Sequence, residues 1–234
     1  MNKEINFETF LFVGFKKIII SVNKKDNFKT VHKKEIKFSN ELNQFQLNRL
    51  NDFLDENIFF IEKKLNYLIQ NIYIILEHKE FIPIGISIKK QNYGNIIKKE
   101  NLIYSLNEIK SYCKKTLEGK KIIHMLIDNY IVDNNSYSLL PKNLKSDYFS
   151  LDIRFICLPD NIVKNLEDIL KKYQIAIQQI VEASYIINSN KQSAEDIFLK
   201  TKNILEGSNN NEVKILKKMR KNKGFFEKFF NLFS

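Results

Sequence analysis

The apolar positions change their period several times along the chain, and each change separates one predicted element from the next. Residues 10–22 are apolar and β-branched around Gly14, and residues 28–38 follow a polar turn at 23–27 with rough alternation. Residues 9–38 therefore read as a β-meander. From about 44 to 70 the step becomes three and four, with Phe45, Leu47, Leu50, Phe53, Leu54, Ile58, Ile61, Leu65, Leu68 and Ile69 recurring. That spacing predicts one long helix, or two with a break near 55–57.

Short extended segments are expected at 72–76 and 81–89, with a turn at Gly94. Ser105 or Asn107 is placed to cap a helix that runs to about Leu117 and stops at Gly119. Residues 121–127, 130–132 and 151–158 read as strands. Pro159 and Asp160 open a helix to about Tyr173, with Ile162, Val163, Leu166, Ile169 and Leu170 on one face. A final strand is expected at 175–181 and a further helix at about 193–205. The run Gly207, Ser208, Asn209, Asn210, Asn211 reads as a flexible joint. The order β-α-β-β-β-α-β between 81 and 185 describes an α+β module with helices on an antiparallel or mixed sheet.

Composition agrees with a folded chain. Of 234 residues 44% are hydrophobic, and 19 Phe with 10 Tyr supply far more buriable surface than disordered sequences carry. The net charge of +11 is unevenly placed: residues 214–234 hold seven basic side chains against one acid, Glu227. On a helix at about 100° per residue, Phe225, Phe226, Phe229, Phe230 and Phe233 share one broad face, with Leu232 at its margin. Lys217, Lys218, Arg220 and Lys221 form a basic collar just upstream. Aromatic rings beside Lys and Arg are what an interfacial helix on anionic lipid needs. The same segment could instead complete the core, or serve as a nucleic-acid-binding arm with stacking phenylalanines. Since the rest of the chain is only mildly basic, nucleic acid is not the expected partner.

Candidate chemistry is sparse. Cys113 and Cys157 lack a paired spacing, and His32, His78 and His124 are scattered, so neither a disulfide framework nor a metal site is expected. The isolated glycines offer no phosphate cradle. Asp128 and Asp133 flank Tyr130 near His124, where strand-end turns explain them better than acid–base work. No catalytic residues, no cofactor and no enzyme activity are expected. With its polar N-terminus no secretory signal is expected, and no apolar run in the sequence reaches the roughly 20 residues that cross a bilayer.

The central stretch IIHMLIDNYIVDNNSYSLLPKNLKSDYFSLDIRFICLPDNIVKNLEDILKKYQIAIQQIVEAS resembles the SHS2-type insert domain (the 1C subdomain) of the bacterial actin-like cell-division protein FtsA. His124, Tyr130, Asp133, Pro141 and Asn165 stand at that family's pattern positions, and Ile177, Ile180 and Val181 match its closing strand. Residues 9–80 resemble the first hairpin and helix of the actin-like subdomain, and 207–234 resemble the family's joint and membrane-targeting helix. The departures are equally specific. Gly14 stands in the place of the first phosphate loop without the family's Asp, the second loop is absent, and too little chain follows Ser184 for the adenosine and FtsZ-gripping regions.

The resemblance implies an α+β fold: a partial actin-like subdomain (1–80), an SHS2-type insert domain (81–185), a helical extension (186–206), and a linker with an amphipathic membrane-binding helix (207–234). It implies a non-catalytic peripheral protein of the division machinery on the cytoplasmic face of the inner membrane, at the division site. Expected partners are anionic membrane lipids and other division proteins, with self-association. The alternatives are an assembly platform for pili or secretion, which shares a related fold, and nucleic-acid binding through the basic tail.

Overall fold

The computed structural model describes residues 7–38, 47–97, 99–141, 143–189 and 196–213. The mixed α+β architecture contains two sheets. A five-stranded sheet has the order β3-β2-β1-β4-β9, and a four-stranded sheet the order β5-β8-β6-β7.

The first sheet starts as an antiparallel meander of β1 (Phe7–Val13), β2 (Lys17–Lys24) and β3 (Thr30–Lys37). The apolar run at 10–22 is thus two strands joined at residues 14–16. Alternate residues of β1 enter different cores. Leu11 and Val13 face the helices α1 (Leu47–Leu65) and α3 (Asp160–Lys171), whereas Phe10 and Phe12 face α4 (Ala183–Ser189) and α5 (Ile197–Glu206). Burial on both faces is why β1 and β2 show no alternation. Strands β4 (Asn71–Leu76) and β9 (Ala176–Glu182) then add in parallel beside β1. The segment from 81 to 185 therefore supplies strands to both sheets, since β9 completes the first.

Helix α1 is continuous through the position where a break was one expectation. Asn57, buried at that point, donates its amide to the Phe53 carbonyl one turn back at 2.7 Å, so its polar group is satisfied inside the helix. Leu50, Phe53, Leu54, Ile58 and Ile61 form its buried face. Phe59 and Phe60 point outward.

The second sheet is antiparallel. Strand β5 (Ile82–Gln91) pairs along its whole length with β8 (Tyr148–Pro159), which pairs on its other side with β6 (Lys120–Val132); β7 (Asn135–Tyr137) closes a hairpin with β6. The hairpin turn puts Asp133 and Asn134 at φ 48° and 63°, as a two-residue turn of this hand requires. The expected gap between 127 and 130 is a bulge in one strand, where Asp128 is extra to the ladder. Helix α2 (Lys99–Thr116) covers this sheet through Leu102, Leu106, Ile109 and Cys113. It starts a turn and a half before the expected caps, so Ser105 and Asn107 lie inside it.

Two short features depart from the sequence reading. Helix α4 follows β9 directly, burying Ala183 and Ile186. The run from Gly207 is tied to the fold, in place of the flexible joint expected there. Gly207, at φ 98°, caps α5, with its N–H on the Ile204 carbonyl and that of Ser208 on Asn203. The chain then crosses to β6, where Ile127 N–H meets the Asn211 carbonyl and Val213 N–H meets the Met125 carbonyl, both at 2.9 Å. Backbone pairing, invisible in side-chain composition, orders this strap.

Candidate functional site

The two sheets meet at a second bulge in β6. Ile123 is the residue extra to the ladder between Ile122 and His124. Its side chain enters the first sheet's core while Met125 enters the second's. His124, between them, is 1% exposed. Its Nε2 accepts the Glu182 backbone N–H at 3.0 Å, and its Nδ1 lies 2.7 Å from Glu212 Oε1. A ring nitrogen that accepts carries no proton, so Nδ1 holds it and donates to the carboxylate. The imidazole thereby joins β6, β9 and the strap.

Glu212 uses its other oxygen on the same cluster. Tyr185 of α4 donates its hydroxyl to Oε2 at 2.9 Å, and Asn209 donates to the Tyr185 oxygen at 2.8 Å. The Tyr185 ring sits 4.6 Å from the imidazole between centroids. Burial, with the Glu212 charge beside it, pushes the Tyr185 hydroxyl far above its ordinary value, which keeps it a donor. Burial also raises the Glu182 carboxyl, opposed by the charge of Arg154. A cleft of ≈ 390 Å³ opens alongside, lined by Pro83, Arg154, Ile156, Glu182 and Tyr185. His124 does not line it, and its bonds fasten β6 to β9 and the strap.

The family-pattern residues do not converge. Only His124 belongs to the cluster. Tyr130 is buried against α2, and burial raises its hydroxyl. Asp133 accepts the Ser146 hydroxyl at 2.8 Å. Asn165 faces solvent on α3, and Pro141 is half-buried after β7. Asp128 pairs with Arg154 at 2.9 Å. The sequence reading missed Glu212, Tyr185 and Asn209; an isolated acid in an Asn-rich run carries no local signal of a partner so far back in the chain. The phenylalanine and basic positions from Lys217 to Phe233 lie outside the described residues.

The turn between β1 and β2 is the place where the resemblance puts a phosphate loop. Phe15 N–H donates to Glu77 Oε2 at 3.1 Å, and a Cβ at Gly14 would lie 2.6 Å from that same oxygen. The chain's own carboxylate thus holds the turn amide, where it would repel a phosphate. Among the described residues no group of three or more His, Cys, Asp or Glu side chains is placed to hold a metal ion, and no helix is long and apolar enough to cross a membrane.

No family model matches the chain, and no curated protein does. Among solved structures it is similar to the cytoplasmic domain of EpsL, an inner membrane component of the type II secretion system of Vibrio cholerae. That match has 8% identity and a TM-score of 0.35, and covers 77% of this chain and 58% of the other. A PilM–PilN type IV pilus biogenesis complex matches at 8% identity and a TM-score of 0.47, covering 78% and 48%. A Bacteroides thetaiotaomicron protein with an actin-like ATPase fold and unknown function matches at 12% and 0.35, covering 82% and 58%. The chain spans less than two thirds of the length of each.

At identities of 12% or less and TM-scores under 0.5, these likenesses assign the chain neither a family nor a role. They are not a specific relationship to FtsA. The expectation of a cell-division and septum protein is corrected on this point: the named machines among the matches are a secretion system and a pilus biogenesis complex.

Proposed function

We propose that this chain is a non-catalytic assembly component of a bacterial membrane machine of the pilus or secretion-platform kind. It works on the cytoplasmic side, partnering other subunits through its folded part and anionic lipid through residues 214–234. In this reading the second sheet with α2 is an SHS2-type insert, and the basic, phenylalanine-rich tail is its membrane helix. The observation that carries the non-catalytic part is the Glu77 carboxylate on the Phe15 amide. An actin-like turn that binds its own acid is a scaffold element, with no place left there for a triphosphate. The outward stripe of α2 supports a partnering role, because Tyr104 and Tyr112, eight residues apart on one helix face, are 78% and 65% exposed.

Two weak attachments, one to lipid and one to protein, raise each other's occupancy when one chain holds both. The test is vesicle sedimentation with graded phosphatidylglycerol, comparing the full chain with one ending at Val213. Ending the chain there keeps the strap and its Glu212 contacts intact. Binding by the full chain alone, rising with anionic lipid and falling with salt, is the expected result. Equal behaviour of the two chains overturns the lipid reading. A thermal shift with Mg-ATP is expected to be nil, and a saturable shift overturns the non-catalytic reading.

A further inference from the structure

A groove of ≈ 780 Å³ runs between α2, β6 and the strap. Leu102, Leu106, Ile127, Tyr130, Leu140 and Val213 give it an apolar portion, and Asn107, Lys110 and strap residues 209–212 a polar one. At its rim Ile103 of α2 and Leu139 after β7 are 51% and 59% exposed. The apolar portion of the recess, with apolar lips, is a contact surface whose side chains lack partner atoms on one side. Its position indicates the occupant. Val213 lines the groove and is held there through its N–H on the Met125 carbonyl, with Glu212 fastened to His124 beside it. The tail is therefore joined to the fold at a residue that lines the groove.

We infer that residues 214–234 fold back onto their own chain and lay the phenylalanine face, centred on Phe229, in this groove when no membrane is present. The eleven residues 214–224 can span up to roughly 35 Å extended, ample to reverse direction, and Gly224 precedes the phenylalanines. The tether makes docking an intramolecular event at high effective concentration. Phe225, Phe226, Phe229, Phe230 and Phe233 offer the large flat side chains that such a recess takes, and the basic residues at 217–221 remain outside it. This inference rests on the lipid reading of the tail only for what lifts the face out. The groove and the bilayer compete for the same rings, so the free protein keeps its lipid-binding face covered until an anionic surface draws it away.

The chain has no Trp, so Phe229→Trp in the full chain gives a single indole reporter. In lipid-free buffer its emission is expected to be blue-shifted and shielded from iodide. Ile103→Glu with Leu139→Glu should return it to the emission of a water-exposed indole. Leu139→Glu alone, on a loop, provides a milder variant should the pair disturb folding. If the docked form dominates ten to one, opening the groove tightens binding to phosphatidylglycerol vesicles by about tenfold. A water-exposed indole in the parent protein overturns the inference, as does shielding that the groove variants leave unchanged. Shielding that grows with protein concentration also overturns it, because the occupant is then a second copy. Groove-dependent shielding without vesicle binding by any variant supports docking and removes the lipid reading alone.

Discussion

His124 donates its Nδ1 proton to Glu212 at 2.7 Å across 88 positions of sequence, and this contact ties the strap to β6. The bulge at Ile123 aims the imidazole, and the Glu182 N–H on Nε2 fixes its tautomer. Val213, next to Glu212, thereby lines the α2 groove.

Glu212→Ala leaves the His124 Nδ1–H and the Tyr185 hydroxyl without their shared acceptor. Unsatisfied buried donors cost about 1–3 kcal/mol, and urea unfolding should show a loss of that order. Hydrogen exchange separates this local effect from a general one. The Ile127 and Val213 amides, which bond across the strap, should exchange faster than the global loss alone accounts for. Glu212→Gln retains an acceptor for His124 and should lose less.

Gly14→Ala places a methyl group 2.6 Å from Glu77 Oε2 and from the Phe12 ring. Relieving the overlap means moving the carboxylate off the Phe15 amide, at a cost of about 1–3 kcal/mol. The expected sign of this substitution is therefore destabilising, although Ala usually stiffens a chain favourably. On a Glu77→Ala background part of the clash is gone, so the same substitution should cost less. That non-additivity in a double-mutant cycle is the measurement.

The elements legible in the sequence were those buried on one side. Helix α3 and strand β8 alternate or repeat because one face meets solvent, and their spans come close to the reading. Strands β1 and β2 merged into one apolar run because both faces are covered by helices, which removes the period that marks a turn. Helix α4 is only seven residues long and buries Ala183 and Ile186, too few positions to establish a step of three or four. The strap was read from Gly, Ser and Asn as loose, yet its order comes from main-chain bonds to β6 and from the single carboxylate of Glu212. Of the site, His124 was visible through its pattern position. Its partners come from α4 and the strap, which no spacing rule connects to β6.

Glu182 has a carboxyl raised by burial, against smaller lowering by Arg154. Its folded value lies above its unfolded one, so the native state binds more protons in the interval between them. Stability is therefore gained as pH falls through that interval and lost as pH rises through it. Glu182→Gln removes this dependence. Stability curves for the two proteins should converge at acid pH and separate toward neutral pH, with the Gln variant the more stable. Parallel curves would mean the carboxyl titrates alike in both states.

Cys113 and Cys157 test how α2 is held. Both thiols are buried, 6% and 0% exposed, and burial raises both, with Cys113 adding to the shift at Cys157. The thiolate is the reactive form, so labelling of the native protein at pH 8 by a disulfide reagent should be slow and both residues should react at once on unfolding. The order of slow labelling reports local opening. Cys113 lies on α2, at the margin of the fold beside the groove, whereas Cys157 lies on β8 between β5 and β6. Lifting α2 exposes the first without breaking the sheet, but reaching the second requires a strand of the ladder to part. Cys113 should therefore label faster, by roughly tenfold or more if α2 opens sub-globally. Mass spectrometry of partly labelled protein gives the ratio. Equal rates would show that α2 and the second sheet open together as one cooperative unit.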